Sequence, residues 1–239
     1  MQTIYYIDRY GNIDRTGFRY KKTPTVKIYP VTLVNLVGGI ASSFEYDSDG
    51  NGLADGWTSY LGSNSLVSGV IGNNAQQIEY DNTSGSSTKY PNVSCVRYHP
   101  IRKFFASVYV KKTTDDTSTN NPRLVIKLLD SSNAWVDSLY VYSSGNTSWE
   151  RICNKKESTE SVDHFSVILD EPTEAGAYAS FVFDAVAVYD LEAMGTLPPP
   201  LQELYSATYW YELSEEQLAA LLPFCPGVCS LGFAWESDV

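Results

Sequence analysis

The stretch from residue 75 to residue 190 constrains this chain most. "AQQIEYD" (75–81), "KFFASVYVKK" (103–112), "RLVIKLLD" (123–130), "WVDSLYVYSS" (135–144), "WERICNKK" (149–156), "DHFSVILD" (163–170) and "ASFVFDAVAVYD" (179–190) each read as a strand. Polar turns such as "DNTSGSS", "TTDDTSTNNP" and "YSSGNTS" separate them. Alternation with period two puts one face of a strand in a core and the other in water. Short strands at this spacing, with no helical period between them, predict a mainly β sandwich and not a parallel sheet with crossover helices.

With 239 residues, 43% of them hydrophobic, the chain can form one large β domain or an ordinary domain with extensions. Its formal net charge of -11 is the opposite of the basic stripe that nucleic-acid binding requires, and it suits solubility and cation binding. No apolar run approaches the length of a membrane span. The opening "MQTIYYIDRYGN" lacks the basic start and apolar stretch of a signal peptide. The sequons at Asn82, Asn92 and Asn146 are therefore read as chance occurrences.

Three parts are expected. Residues 1–32 form a β arm, in which "IDRYGN" (7–12) and "IDRTGF" (13–18) echo each other; two copies are too few for a solenoid and predict a hairpin. "TVKIYPVTLVNLV" follows as a strand interrupted by Pro30. Residues 33–192 form the sandwich. Residues 193–239 begin with a triple proline at 198–200, expected to be a stiff extended linker. A helix follows, with Ser214 as N-cap, Gln217 at the capping-box position, and Leu213 and Leu218 as a hydrophobic staple. Leu218, Leu221 and Leu222 make its apolar stripe and Pro223 ends it. So short a helix needs a surface to pack on. The tail either folds back on the sandwich or docks on a partner, and we read it as an anchor separable from the sandwich core. In "CPGVC", Cys225 and Cys229 either close a local bridge or remain thiols; Cys95 and Cys153 are isolated.

"DSDGNGLADGW" (47–57) resembles a calcium loop. Asp47, Asp49 and Asn51 match the first, third and fifth ligand positions of the helix-loop-helix pattern, Gly52 its glycine, Leu53 its carbonyl and Asp55 its ninth position. The twelfth position, which should be Glu, is Thr58. The alternatives are a structural calcium site, with further oxygens from elsewhere such as Glu45, and a solvated acidic turn.

The longer stretch "NLVGGIASSFEYDSDGNGLADGW" (35–57) resembles the opening of the galactose-binding-like jelly rolls, the fold of many carbohydrate-binding modules. "TSWERI" (147–152) resembles their mid-domain strand, and "FVFDAVAVYDLE" (181–192) their closing strand. The resemblance implies a structural calcium between the first and last strands, with Glu45 and Asp184 as carboxylate ligands; Ala185 stands where a second Asp is common. It also implies sugar binding, which needs exposed aromatic faces beside polar groups. Trp135, Tyr140 and Tyr142 are candidates for such a face, or for core packing, whereas Trp57 and Trp149 lie in framework motifs and are assigned to the core.

No catalytic constellation is evident. His164 reads as a sheet residue and His99 as a turn residue, and no nucleophile elbow, phosphate loop or zinc-protease motif occurs. The expectation is a non-enzyme. A jelly roll with both extensions is similar to modules carried by bacteriophage tail, fibre or capsid-decoration proteins. By that analogy the chain is a multicopy virion protein that contacts its neighbours and host-surface glycans. A secreted or cell-surface carbohydrate-binding module, or an accessory domain of a glycoside hydrolase, is the alternative.

Overall fold

The computed structural model describes the backbone of residues 2–7, 13–14 and 25–237 and the side chains of residues 27–234. In chain order the strands are β1 (Gln2–Ile7), β2 (Ile13–Asp14), β3 (Thr25–Val34), β4 (Thr58–Tyr60), β5 (Ser63–Ser68), β6 (Asn74–Asp81), β7 (Asn92–Arg97), β8 (Lys103–Lys112), β9 (Arg123–Leu129), β10 (Trp135–Tyr142), β11 (Glu150–Glu157), β12 (His164–Asp170), β13 (Tyr178–Asp190) and β14 (Val228–Ser237). The α-helices are α1 (Gly39–Ser43), α2 (Pro199–Tyr205) and α3 (Glu215–Leu221).

Two antiparallel sheets pack as a sandwich, as the strand pattern predicts, and as the jelly-roll resemblance implies. The front sheet has the order β10-β9-β12-β7-β4 and the back sheet β11-β8-β13-β6-β5. Between them, Leu124, Ile126 and Leu128 of β9 and Phe165, Val167 and Leu169 of β12 share a core with Phe104, Val108 and Val110 of β8 and Phe181 and Phe183 of β13. Each such buried side chain contributes about 1.5–3 kcal/mol. Trp57 joins this core, stacked on Phe44 with centroids 5.2 Å apart, and its Nε1 donates to the Ala41 carbonyl at 2.7 Å. Trp149 does not join it: the ring is half-buried, with the Lys111 ammonium 4.8 Å from its centroid.

A bulge between Asp184 and Ala187 gives β13 two working faces. An irregularity of this kind inverts the alternation. Phe181 and Phe183 point into the sandwich before it and Val186 and Val188 after it, while Ala187 and Tyr189 point outward into a second core.

That second core is built by the two ends of the chain. β14 lies between β1, with which it runs parallel, and β3, with which it runs antiparallel. Leu33, Leu231 and Phe233 from this sheet, with Leu201 of α2, Trp210, and Leu218 and Leu221 of α3, cover Phe105, Ala187 and Tyr189 on the outside of the back sheet. The arm and the tail therefore form one layer. Most of the echo over residues 7–18 lies outside the described residues; the pairs Tyr6 with Asp14 and Ile7 with Ile13 are antiparallel.

The prolines do not run as an extended linker. Pro198 is the N-cap of α2 and Pro199 opens the helix, because a first-turn proline loses no helical hydrogen bond and its φ is already helical. The capping box of α3 forms as its sequence predicts: Gln217 N–H donates to Ser214 Oγ at 3.2 Å and Ser214 N–H to Gln217 Oε1 at 2.7 Å. At the other end, Arg151 Nη1 and Nη2 donate to the Ala219 and Leu222 carbonyls at 3.0 and 2.6 Å, supplying donors where the helix leaves carbonyls unpaired. Cys225 and Cys229 form a disulfide. Cys95 is buried, and burial pushes its thiol up to about 11.

At one end of the sandwich the buried Lys112 ammonium sits 2.9 Å from Asp116 Oδ1 and 3.3 Å from Glu171 Oε1. One ammonium faces two carboxylates. Burial first, then the Asp116 charge, pushes Glu171 up to about 8. The folded value lies above the unfolded one. The stability this group contributes is therefore fully present below the ordinary carboxyl range and is lost as pH rises through about 8. We expect Glu171→Gln to flatten the fall in stability between about pH 5 and pH 8, as read from urea midpoints across that range. Equal pH slopes in wild type and variant would show that Glu171 is ionised throughout.

Candidate functional site

The outward face of the front sheet is assembled by strand register. Tyr142 pairs with Arg123, Arg123 with Asp170, Asp170 with Asn92 and Asn92 with Tyr60, so one row crosses all five strands. The row two residues along contains Tyr140, Val125, Ile168, Ser94 and Thr58, and the next Ser138, Lys127, Ser166 and Val96. Trp135, past a bulge in β10, pairs with Leu129. Leu139 and Val141 take the alternate, buried positions of β10. Trp135 is 55%, Tyr142 57% and Tyr60 65% exposed; Tyr140 is half-buried and stacked on Tyr142 at 6.5 Å. The three aromatic candidates of β10 thus belong to an open face and not to the core.

Arg123 organises one end of this face. Its Nε and Nη2 donate to Asp170 Oδ1 and Oδ2 at 2.6 and 3.0 Å, and its Nη1 donates to the Tyr142 hydroxyl at 3.2 Å. The rings of Tyr90, Tyr140 and Tyr142 lie 5.6, 5.3 and 5.6 Å from the guanidinium carbon. Burial raises the Asp170 carboxyl and Arg123 pulls it back. A bidentate pair of this kind holds a planar, charged surface rigidly among aromatic faces. At the other end, Trp135 Nε1 donates to the Asp137 carbonyl at 2.8 Å, and Lys127 Nζ sits 4.8 Å from the Trp135 ring centroid. Nearby His164 is buried, with Nδ1 3.0 Å from Asp163 Oδ2 and its ring 5.1 Å from that of Tyr98. His99 is a turn residue whose Nδ1 lies 3.0 Å from the Pro100 carbonyl.

Arg123, Asp170, Tyr90 and Tyr60 were not among the sequence candidates. Arg123 opens one strand, Asp170 ends another and Tyr60 ends a third. Only the register brings them side by side, and one strand's alternation does not encode its neighbours' register.

The metal candidates divide into two groups. Asp47 Oδ1 and Oδ2 accept from the N–H groups of Asn51 and Gly52 at 3.1 and 2.8 Å. Asp49 accepts from Asn51 N and Nδ2 at 3.3 and 2.9 Å, and Asn51 Oδ1 from Leu53 N at 2.7 Å. Asp55 Oδ1 accepts from Ser48 N and Oγ, each at 3.0 Å. These oxygens face donors of their own loop, and the Gly52 N–H is the main cause of a lowered Asp47 carboxyl. The loop is fastened by buried Gln76, which accepts from Ala54 N at 2.8 Å and donates to the Gly52 carbonyl at 3.1 Å. Gly52 has φ +81°, and a Cβ there would collide with the Asn64 carbonyl.

Glu45 and Asp184 grip a different turn. Asp184 Oδ2 accepts from Val70 and Ile71 N–H at 2.7 and 2.8 Å, and Glu45 Oε1 from Asn73 N–H at 2.8 Å. A Cβ on Gly72, φ +75°, would collide with the Glu45 carboxylate. Asp184 is fully buried and its Oδ1 has no hydrogen-bond partner. Burial pushes this carboxyl up to about 6, and the Glu45 charge adds to the effect. Among the described residues, no three His, Cys, Asp or Glu side chains converge as metal ligands. A cation here would have these two carboxylates and take its remaining oxygens from backbone carbonyls or water. An unpartnered buried carboxylate oxygen beside a second carboxylate fits that role.

No protein-family profile matches the chain, and no curated protein matches it. Solved structures do. The chain is similar to the enzymatically active domain of tailspike protein 4 of bacteriophage CBA120, at 13% identity and a TM-score of 0.48, over 65% of this chain and 21% of that one. It spans about a fifth of that tailspike chain. It is also similar to the CBM22-1 xylan-binding domain of Paenibacillus barcinonensis Xyn10C, at 17% identity and a TM-score of 0.44, over 62% and 90% of the two chains. A third likeness is to carbohydrate-binding modules of the β-sandwich superfamily, at 13% identity and a TM-score of 0.48, over 77% and 84%.

Proposed function

We propose that this chain is a non-catalytic sugar-binding sandwich displayed in many copies on a virion, with the front sheet turned outward and the terminal layer turned to the particle. The observation that carries the reading is the front face itself. Exposed Trp135, Tyr142 and Tyr60 flank hydrogen-bonding groups held in fixed register, which is what sugar recognition requires. The orientation rests on the terminal layer, which packs on the back sheet, the side of the sandwich opposite the front face. Binding without cleavage fits the state of the acids: Asp170 is tied to Arg123 and Asp163 to His164. Calcium at Glu45 and Asp184 acts as a structural tie between the turn at 69–74 and the bulge of β13. It is supported by the unpartnered Asp184 oxygen.

Display in many copies makes weak single sites sufficient, because linked sites raise apparent affinity about 10²–10⁴-fold. The expected result is that a monomer barely binds a glycan array, that a multivalent display of the same chain binds it, and that Trp135→Ala abolishes display binding at unchanged melting temperature. Loss of an aromatic stacking face costs about 0.5–1.5 kcal/mol per site, which multivalency amplifies. Multivalent display that binds neither glycans nor host cells would leave only the structural role. Tight binding by the monomer would favour a free-standing module.

A further inference from the structure

We infer that the front face takes a carbohydrate carrying an anionic group, a carboxylate, sulfate or phosphate, and that Lys127 reads the charge while Trp135 stacks on the ring. The inference rests on the sugar-binding reading above and names its ligand class.

The chain carries a net charge of -11, so a generic surface would repel such a ligand. The front face departs from that average. Its acids are already occupied: Asp170 holds Arg123, Asp137 lies 3.0 Å from Lys156 Nζ, and Asp163 lies against His164. Asp130, at the turn before Trp135, accepts from Ser132 N and Oγ and from Ala134 N at 2.8, 2.7 and 2.9 Å. Lys127 differs. Among the described residues no carboxylate lies within ion-pair distance of its ammonium, which rests over the Trp135 ring. In its row Lys127 lies between Ser138 and Ser166, so a serine stands on either side of it in the sheet. An ammonium over the most exposed indole of the face, in a row with two serines, matches a sugar that offers an apolar ring face and, at its edge, a charged oxygen group. A neutral sugar would use the indole but form no ion pair with the ammonium, whose charge otherwise reaches only as far as the Asp170 carboxyl already bound by Arg123.

The test uses two pairs of immobilised polysaccharides, each pair sharing a backbone and differing in charge: polygalacturonate with its fully methyl-esterified form, and dextran sulfate with dextran. The full chain is displayed multivalently, and binding is followed as salt rises. We expect the charged member of at least one pair to bind about tenfold more tightly, the size of one charge-assisted hydrogen bond, with the preference fading in salt. Lys127→Met keeps a stem over Trp135 and should bind both members equally, whereas Lys127→Arg should retain the preference. Melting curves confirm that both variants fold. Equal binding of charged and uncharged members by wild type, or a preference that survives Lys127→Met, would overturn the inference and leave the sugar-binding reading intact. Failure of every polymer to bind removes the sugar-binding reading, and this inference with it.

Discussion

Deleting residues 195–239 is expected to give a chain that aggregates and binds hydrophobic dyes, not a smaller folded sandwich. The deletion takes away Leu201, Trp210, Leu218, Leu221, Leu231 and Phe233 and uncovers Leu33, Phe105, Ala187 and Tyr189, all of which are buried in the intact chain. It also removes β14, the partner of both β1 and β3, leaving unpaired edges. At about 1.5–3 kcal/mol for each large side chain lost from a core, the total rivals the 5–15 kcal/mol that holds a typical domain folded. Soluble yield and dye fluorescence measure the outcome. A soluble truncation with unchanged far-ultraviolet dichroism and no dye binding would show that the tail is a dispensable anchor, as the sequence alone suggests.

Removal of calcium is expected to lower the melting temperature by about 5–10 °C. A cation bound only by the folded state at a hundred times its dissociation constant adds about 2.7 kcal/mol, and each kcal/mol is worth about 2–4 °C in a chain of this size. Asp184→Asn separates the alternatives. If a cation sits against Asp184 Oδ1, the variant melts lower in calcium and no longer responds to chelator. If none does, the variant relieves a buried carboxylate and melts at or above the wild-type temperature. Asp49→Ala should leave the calcium response intact, because both Asp49 oxygens face donors of Asn51. The response should also fade with acid. Without a cation the Asp184 carboxyl is pushed up to about 6, so protons compete with calcium below that pH.

The two-sheet sandwich was legible because alternation reports burial directly: "RLVIKLLD" reads as buried Leu124, Ile126 and Leu128, and the structure places them so. The capping box at Ser214 was legible for a similar reason, since its donors and acceptors lie within three residues. What escaped was everything set by distance along the chain. The row from Tyr142 to Tyr60 depends on four independent registers. The pairing of Gln2 with Ser230 leaves no local trace. A triple proline fits an extended linker and a helix N-terminus equally well, and only packing of Leu201 on the second core decides between them. The acidic loop shows a further limit: ligand-like spacing in "DSDGNG" also satisfies a loop whose carboxylates face its own amides.

The central place of β14 in the terminal sheet has a consequence for how the protein is made. A ribosome releases β1 and β3 long before β14, which follows every other strand of the chain. Until then the two early strands have no partner between them, and the cover over Phe105 and Tyr189 lacks Leu231 and Phe233. The sandwich can close during synthesis, but the layer that seals its back must wait for the last strand to thread between two already waiting. Synthesis order thus makes this layer the last to close, and a chain stalled before β14 is marked by the open slot that β14 fills.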